Sequence, residues 1–410
     1  MSGATPNESD AIGAAAHADR ATLGAVCGYF ARLGLLGFGG PVALVGYMQR
    51  NWVDERQWVS EQEYRDGLAI AQMAPGPLAA QLAMWLAFVR GGVRGATLAS
   101  LAFIGPPFVI VLILGWLYVT LGGAPWFQAL FYGIGPAAIA IIAIASYRLV
   151  PLTVERDWLL AGVALAVGLI TYLTRSEVAL TFLAGGLLVM LVRVGPGTAL
   201  GWLAERIGSR GAAIGVLGPL FPPAAAELPL LLDMGLFFVK AGAFVFGSGL
   251  AIVPFMREGL LVEHQWLTER QFLDAVAVGL ITPGPIVIAA AFVGFLIAGL
   301  PGALIGAFGV FLPVYLFVIL PGRWFLRWKD ATAVRGFIGG VSAAATGAIV
   351  AAALILAQQA IIDLPTALIA VVALGALLAI RHWRPPLIAE LPEPVVVVAA
   401  GAAGLLLHGT

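Results

Sequence analysis

The sequence predicts an all-α polytopic membrane protein made of two inverted-topology homologous repeats, with helices broken at glycine-rich and Pro-Gly-Pro motifs. The first observation is composition: 61% of the 410 residues are hydrophobic and 11% are charged. A soluble domain has about 25% charged residues. Apolar runs of about 20 residues, the length that spans a bilayer, recur along the chain. A soluble globular protein is therefore excluded.

The second observation is an internal repeat with a fixed spacing. Pro75-Gly76-Pro77 returns 208 residues later as Pro283-Gly284-Pro285, and the same spacing relates Phe38 to Phe246. Each Pro-Gly-Pro motif follows a glycine cluster, residues 37–41 in the first unit and 246–249 in the second, by the same distance. A duplicated unit whose helices are interrupted at matching positions is typical of the binding site of a secondary transporter.

The repeat and the apolar runs divide the chain into four parts. We expect a polar tail over residues 1–22, a first membrane repeat over 23–194, a linker over 195–229 and a second membrane repeat over 230–410. The tail has no basic region followed by an apolar run, which argues against a cleaved signal peptide. The two repeats should contain about twelve membrane-embedded segments.

The positive charges of equivalent loops indicate that the repeats are inverted. The turn after the first Pro-Gly-Pro segment carries Arg90 and Arg94, whereas its counterpart at 299–302 has no basic residue. At the next pair of equivalent loops the basic residues are only in the second repeat, and at the third pair they are again only in the first repeat. Lysine and arginine favour cytoplasmic loops, so an alternating bias predicts opposite insertion. Parallel repeats with charges scattered by chance are the alternative.

Inversion requires an odd number of crossings between equivalent points. Either the first glycine-broken segment is a re-entrant hairpin, or the linker adds a crossing. Residues 37–41 offer a natural reversal, which favours the hairpin. Irregular backbone at that depth must be buried in protein or line a water-filled cavity.

Arg32 and Lys240 are equivalent in the repeat, and each precedes its glycine cluster by about two helical turns. A cation within a membrane segment is costly and indicates function. Two cations and the backbone N–H groups of the glycine clusters would suit a divalent oxyanion. Alternatively, both side chains snorkel to the headgroups. The expected binding residues in the clusters are Phe38, Gly39, Gly40, Pro41, Phe246, Gly247, Ser248 and Gly249.

The Pro-Gly-Pro motifs should break their helices, because proline lacks a backbone donor. The helix that follows each break would direct its positive N-terminal end inward. Gln72, Gln81 and Thr282 flank the breaks and could donate hydrogen bonds to a substrate. Helix packing alone is the alternative role. The expected binding residues at the breaks are Pro75, Gly76, Pro77, Pro283, Gly284 and Pro285.

The amphipathic stretches Gln49–Asp66 and Met256–Asp274 are expected to lie at the membrane interface and are called the interfacial patches. Asp66 and Asp274 lie where these patches enter an apolar segment, and either could carry a proton that couples transport. Solvated interfacial charges at helix starts are the alternative. No histidine pairs with a nucleophile motif and no P-loop is present, so we expect neither an enzyme nor ATP-driven transport. We also expect no cofactor, no metal site and, at zero net charge, no nucleic-acid partner.

The Phe-Gly-Gly-Pro cluster at 38–41, Gln57-Trp58, the Pro-Gly-Pro break and their repetition resemble the chromate ion transporter family in its long, two-domain form. The resemblance extends from about Phe30 to Arg384. It implies a carrier in the bacterial inner membrane that exports chromate, driven by membrane potential or proton exchange, with sulfate as a competitor. The chain departs from the pattern in its second half, where Ser248-Gly249 replaces Gly40-Pro41.

Two other functions stay open. The first is export of another anion or of an organic solute such as an amino acid. The second is a membrane-embedded enzyme or scaffold, which would need an ordered nucleophile and base. The lipid bilayer is the expected environment, and association of two copies as a homodimer is open.

Overall fold

The computed structural model describes residues 22–38, 40–154, 156–175, 179–195, 229–245, 249–320, 331–383 and 392–408, and these residues form helices and no β-strand. The predicted tail and linker lie almost entirely outside them. The helices of the first repeat are α1 (Leu23–Leu36), α2 (Gly40–Gln49), α3 (Glu61–Met73), α4 (Leu78–Leu121), α5 (Pro125–Val154), α6 (Trp158–Thr174) and α7 (Ala179–Val194). Those of the second are α8 (Leu230–Phe244), α9 (Ile252–Arg257), α10 (Glu269–Ile281), α11 (Ala289–Ile319), α12 (Thr332–Ala360), α13 (Leu364–Trp383) and α14 (Pro392–His408).

The helix breaks lie where the sequence predicts them. The first Pro-Gly-Pro motif separates α3 from α4, and the second separates α10 from a short 3₁₀ segment that leads into α11. Ala74 and Thr282, which precede the two motifs, have extended backbone with ψ of 144° and 131°. The following proline excludes the helical conformation at these positions, and each helix therefore ends there.

The interfacial patches have the same backbone conformation in both repeats. A π-helical turn over Arg50–Glu55 recurs at Glu258–Glu263. Each turn is followed by a glutamine in the left-handed conformation, Gln57 and Gln265, with φ of 51° in both. A capping box then starts α3 and α10. The repeat seen in the sequence thus extends to unusual details of the backbone.

The two repeats interlock instead of standing side by side. In the first repeat α1 packs on α4, and in the second the equivalent helix α8 packs on α11. Helices α4 and α11 also pack on each other. The later helices are exchanged, because α12 packs against α6 and α7 while α5 packs against α13 and α14. Backbone contact is very close there: a Cβ added to Gly340 would lie 2.3 Å from the carbonyl oxygen of Gly185.

Four helices in the described part of the chain are long and apolar enough to cross a membrane: Leu78–Leu121, Pro125–Val154, Ile286–Ile319 and Thr332–Ala360. Shorter apolar helices of 10–17 residues accompany them. Many large apolar side chains face outward, among them Leu101 and Phe308. An apolar exterior of this kind fits lipid, and the chain is a membrane protein. The opposite insertion of the two repeats and the re-entrant hairpin stay predictions.

Candidate functional site

The four helix breaks meet through two backbone hydrogen bonds between the repeats. The N–H of Gly76 donates to the carbonyl oxygen of Val245, and the N–H of Gly284 donates to that of Gly37 over 2.9 Å. Gly284 is the equivalent of Gly76, and Val245 is the equivalent of Gly37. Each Pro-Gly-Pro motif therefore bonds to the end of the helix that precedes the other repeat's glycine cluster. A reciprocal contact of this kind is the property of two units related by a two-fold axis.

Glycine is required at the centre of each motif. Gly76 and Gly284 have φ of 142° and 90°, which side chains rarely adopt. Gly249 also lies at the junction of the repeats, because a Cβ added there would be 2.6 Å from Ile286 and 3.8 Å from Cβ of Pro77. Gly249 therefore lies beside Pro77 of the first Pro-Gly-Pro motif and beside Ile286, the residue that follows the second.

Two of the three polar residues that flank the breaks, Gln81 and Thr282, donate hydrogen bonds within the protein. Gln81 is fully buried, and its Nε2 donates to the carbonyl oxygens of Pro75 at 2.7 Å and Ala74 at 3.3 Å. These bonds satisfy acceptors that the break leaves without helical partners. The buried Thr282 hydroxyl donates to the carbonyl oxygen of Val278. Gln72 is exposed. The side-chain Oε1 of Gln81 has no hydrogen-bond partner among the described residues.

The two aligned cations differ in environment. Arg32 is exposed on α1, whereas Lys240 on α8 is half-buried, with Nζ 5.8 Å from the ring centroid of Phe255. Neither forms an ion pair with a residue in the described ranges. Gly40 is exposed with φ of 74°, and Phe38 is half-buried. Gly39, Phe246, Gly247, Ser248 and the side chain of Pro41 lie outside what the structure describes.

The two aspartates, equivalent in sequence, occupy different environments. Asp274 on α10 is 4% exposed and accepts a 2.7 Å hydrogen bond from the hydroxyl of Tyr118 on α4. Asp66 on α3 is half-buried and accepts a bond from Gln62, one turn earlier on its own helix. Tyr118 packs edge-on against Phe127, Phe131 and Phe292. The structure thus encloses one of the two predicted carboxylates and joins it to the other repeat.

Sequence reasoning missed Arg257, which is 6% exposed at the end of α9. Its Nη1 donates to the carbonyl oxygen of Arg175 at 2.8 Å, and its Nη2 lies 3.3 Å from Glu269. Arg257 lies in the second interfacial patch, where the sequence predicts charges that contact solvent. Its equivalent in the first repeat is the neutral Gln49. A charge present in only one repeat was the signal that could have found it. No group of three or more potential metal ligands occurs in the described ranges.

Comparisons with known proteins agree with this architecture. The family model described as "Chromate transporter" matches residues 25–190 and again residues 232–405. The chain is 46% identical over 408 residues to the "Chromate transport protein" of Cupriavidus metallidurans, which covers 100% of this chain and 99% of that relative. It is 49% identical over 381 residues to the "Probable chromate transport protein" of Synechococcus elongatus, covering 92% and 94%.

A third relative, the "Chromate transport protein" of Pseudomonas aeruginosa, is 31% identical over 389 residues. The match covers 92% of this chain and 91% of the length of that relative. No solved structure matches the chain. The family match falls twice on the chain, once on each repeat that the helix breaks define. The chain therefore belongs to the chromate transporter family.

Proposed function

We propose that the protein is a secondary transporter that exports chromate across the bacterial inner membrane. Membership of the family and the names of the relatives support chromate as the substrate. The observation that carries the transport mechanism is the pair of reciprocal hydrogen bonds that joins the four helix breaks at one place. Broken helices that meet at a repeat interface are where secondary transporters bind their substrates.

Binding of the anion would use groups that these bonds now occupy. The amides of Gly76 and Gly284 donate to carbonyl oxygens of the opposite repeat. Opening either bond would release a backbone donor beside the N-terminal end of α4 or of the segment leading into α11, where the helix dipole favours an anion. Arg32 and Lys240 would supply positive charge on the route to the breaks. The two bonds would open in turn, which gives access from alternate sides.

Proton exchange would run through Asp274, with Asp66 as the second candidate. A carboxylate that is almost fully enclosed in a membrane protein is costly when charged and is a functional hypothesis by default. Asp274 has that burial, and the hydroxyl of Tyr118 holds its position. Asp66 is more accessible and is bonded to its own helix. Of the two, Asp274 is the better placed to take up a proton and release it as the repeats move.

Uptake of radiolabelled chromate into everted membrane vesicles tests the proposal. We expect uptake under an imposed pH gradient or membrane potential, and inhibition by excess sulfate. Inhibition by an amino acid with no effect of sulfate would instead favour an organic solute. The absence of chromate uptake under every imposed gradient, with the protein present in the membrane, would contradict the proposal.

A further inference from the structure

A histidine of the second interfacial patch contacts the start of α8. Nδ1 of His264 lies 3.2 Å from a carboxylate oxygen of Asp233, which is in the first turn of α8. The imidazole stacks on the indole of Trp266, with ring centroids 4.1 Å apart and planes 14° apart. Phe237, one turn along α8 from Asp233, packs edge-on against both rings. We call these four residues the His264 cluster; it joins α8 to the patch.

The first repeat has a permanent cation in place of this imidazole. Arg56 is the equivalent of His264, and its guanidinium carbon lies 4.6 Å from the ring centroid of Trp58. Trp58 is the equivalent of the tryptophan on which the imidazole stacks. At the position of the aspartate in the His264 cluster, the first repeat has the neutral Ala25. Both repeats therefore place a planar nitrogen group over the same tryptophan, but in the second its charge depends on pH and it faces a carboxylate on the helix.

The charge of His264 sets the strength of the contact. A protonated imidazole forms an ion pair with Asp233 and a cation–π contact with Trp266, whereas a neutral imidazole can still donate from Nδ1 but loses both attractions. Histidine is the side chain that ordinarily changes charge between about pH 5 and about pH 8. The side chains of His264 and Asp233 are 26% and 35% exposed, so solvent can supply and remove the proton.

Asp233 is the charged residue that the structure pairs with His264. Lys240 lies about two turns further along α8, and Arg257 of α9 is paired with Glu269. The other charged residues of the π-helical turn and of α10 near its start are Glu258, Glu263 and Arg270. None of these forms an ion pair with the imidazole in the described part of the chain. Protonation of His264 therefore acts chiefly on its contact with Asp233.

We propose that His264 is a positioning residue that holds α8 against the second interfacial patch when it is protonated and releases α8 when it is neutral. Helix α8 carries Lys240 and ends beside Val245, whose carbonyl oxygen accepts the hydrogen bond from Gly76. A held α8 keeps this bond between the repeats closed, and a released α8 allows it to open. That the release speeds the movement of chromate rests on the proposed function.

The fluorescence of Trp266 tests the contact without any transport, because a protonated imidazole stacked on an indole quenches its emission. Full-length protein in lipid nanodiscs is titrated from about pH 8 to about pH 5.5, and the signal of Trp266 is the difference from Trp266→Phe. This signal falls on acidification in the wild type and stays constant in His264→Gln. His382→Gln, which removes another exposed histidine, is the matched control and titrates like the wild type. A constant Trp266 signal in the wild type overturns the inference.

Counterflow exchange of labelled chromate, with the same pH on both sides of the membrane, tests the effect on transport. His264→Arg keeps a cation at every pH, as Arg56 does in the first repeat, and His264→Gln is always neutral. The wild type should match His264→Arg at about pH 5.5 and His264→Gln at about pH 8, and His264→Gln should exchange about two- to fivefold faster than His264→Arg, as expected for a partly exposed ion pair. Comparison at one pH removes the effect of Asp274, which all variants share.

A purely structural role of His264 would slow both variants at every pH, and that result overturns the inference. Chromate exchange by the wild type without the change from one variant's rate to the other's refutes the inference and leaves the proposed function standing. Quenching of Trp266 on acidification, together with no chromate exchange by the wild type, supports the pH-dependent contact and refutes the proposed function.

Discussion

The backbone N–H of Gly284 donates a 2.9 Å hydrogen bond to the carbonyl oxygen of Gly37 and so joins the second Pro-Gly-Pro motif to the helix that precedes the first glycine cluster. Its counterpart joins Gly76 to Val245. Two breaks in helices of different repeats thus complete each other's backbone hydrogen bonding. In a lipid-facing protein this is required, because an unpaired backbone group inside the membrane costs several kcal/mol.

The first prediction concerns these glycines. Gly284→Ala and Gly76→Ala should each lower stability by about 1–2 kcal/mol, because alanine resists positive φ, and should reduce chromate transport. A Cβ at position 76 would also lie 2.6 Å from Nε2 of Gln81, so Gly76→Ala should be the more damaging. Thermal unfolding in detergent and vesicle uptake measure the two effects.

Gly162→Ala is the control for these variants, since a Cβ at this position in α6 meets nothing within 4 Å. It should leave transport unchanged and stability equal or slightly higher. Equal stability and transport in Gly284→Ala and Gly162→Ala would show that the junction tolerates rearrangement and is not a fixed element of the site.

A second prediction separates the structural role of Gln81 from substrate binding. Gln81→Met fills a similar volume but leaves the carbonyl oxygens of Ala74 and Pro75 without their buried donor. Stability should fall by about 1–3 kcal/mol. Gln72→Met, at an exposed position before the same break, should have little effect. A stable Gln81→Met protein with a raised half-saturating chromate concentration would instead place Gln81 in direct contact with the anion.

The helix breaks were predictable because proline acts locally. The ring of Pro75 or Pro283 dictates the conformation of the residue before it, whatever the rest of the fold does. The hydrogen bond from Gly284 to Gly37 was not predictable in the same way. Repeat spacing shows that two motifs are equivalent, but only the packing of α4 on α11 decides that they meet.

The differences between equivalent residues of the two repeats also could not be predicted from the sequence. Asp66 and Asp274 are aligned and identical, and their difference arises because Tyr118 of α4 reaches Asp274. Arg257 stands in a patch with the composition of a solvated surface. Its burial is imposed by α6 and α12, which come from distant parts of the chain. Identical residues thus acquire different chemistry from neighbours that local sequence does not specify.

A third prediction concerns Arg32 and Lys240. If these cations draw the anion to the breaks, Arg32→Ala or Lys240→Ala abolishes export while the protein still inserts in the membrane. Arg32→Lys and Lys240→Arg keep the charge and should retain transport. The amount of protein in the membrane is measured by immunoblot beside the uptake assay. Normal transport by both alanine variants would show that the side chains only reach toward headgroups.

A fourth prediction concerns acid stability at the start of α6. Asp157 caps this helix through the amides of Leu159 and Leu160, and its second oxygen accepts a hydrogen bond from Arg193. The hydrogen bond from Arg193 lowers the pKa of Asp157 below its usual value. Because the folded-state pKa is depressed, its contribution is complete above the unfolded pKa, about 4, and is lost as pH falls through the lower folded value.

Asp157→Asn keeps the helix cap and removes the charge, so the free energy of unfolding should fall by less than about 1 kcal/mol near neutral pH. The difference from the wild type should shrink as the medium is acidified. Asp157→Ala should lose about 1 kcal/mol more, through loss of the cap. Unfolding followed from neutral to acid pH checks both values. A difference between Asp157→Asn and the wild type that grows on acidification would contradict the assignment.

The last prediction tests the two aspartates against each other. Asp274→Asn should abolish chromate uptake driven by a pH gradient, since an amide cannot take up and release the proton. Tyr118→Phe removes only the hydroxyl that positions Asp274, so it should shift the pH at which transport is half-maximal while leaving transport measurable. Asp66→Asn, the equivalent change in the first repeat, serves as the matched control and should transport close to the wild type.

Counterflow exchange of labelled chromate, which needs no net driving force, should survive in Asp274→Asn if only coupling is lost. Loss of counterflow together with driven uptake would give Asp274 a structural role, and loss of driven uptake in Asp66→Asn alone would move the coupling to the first repeat.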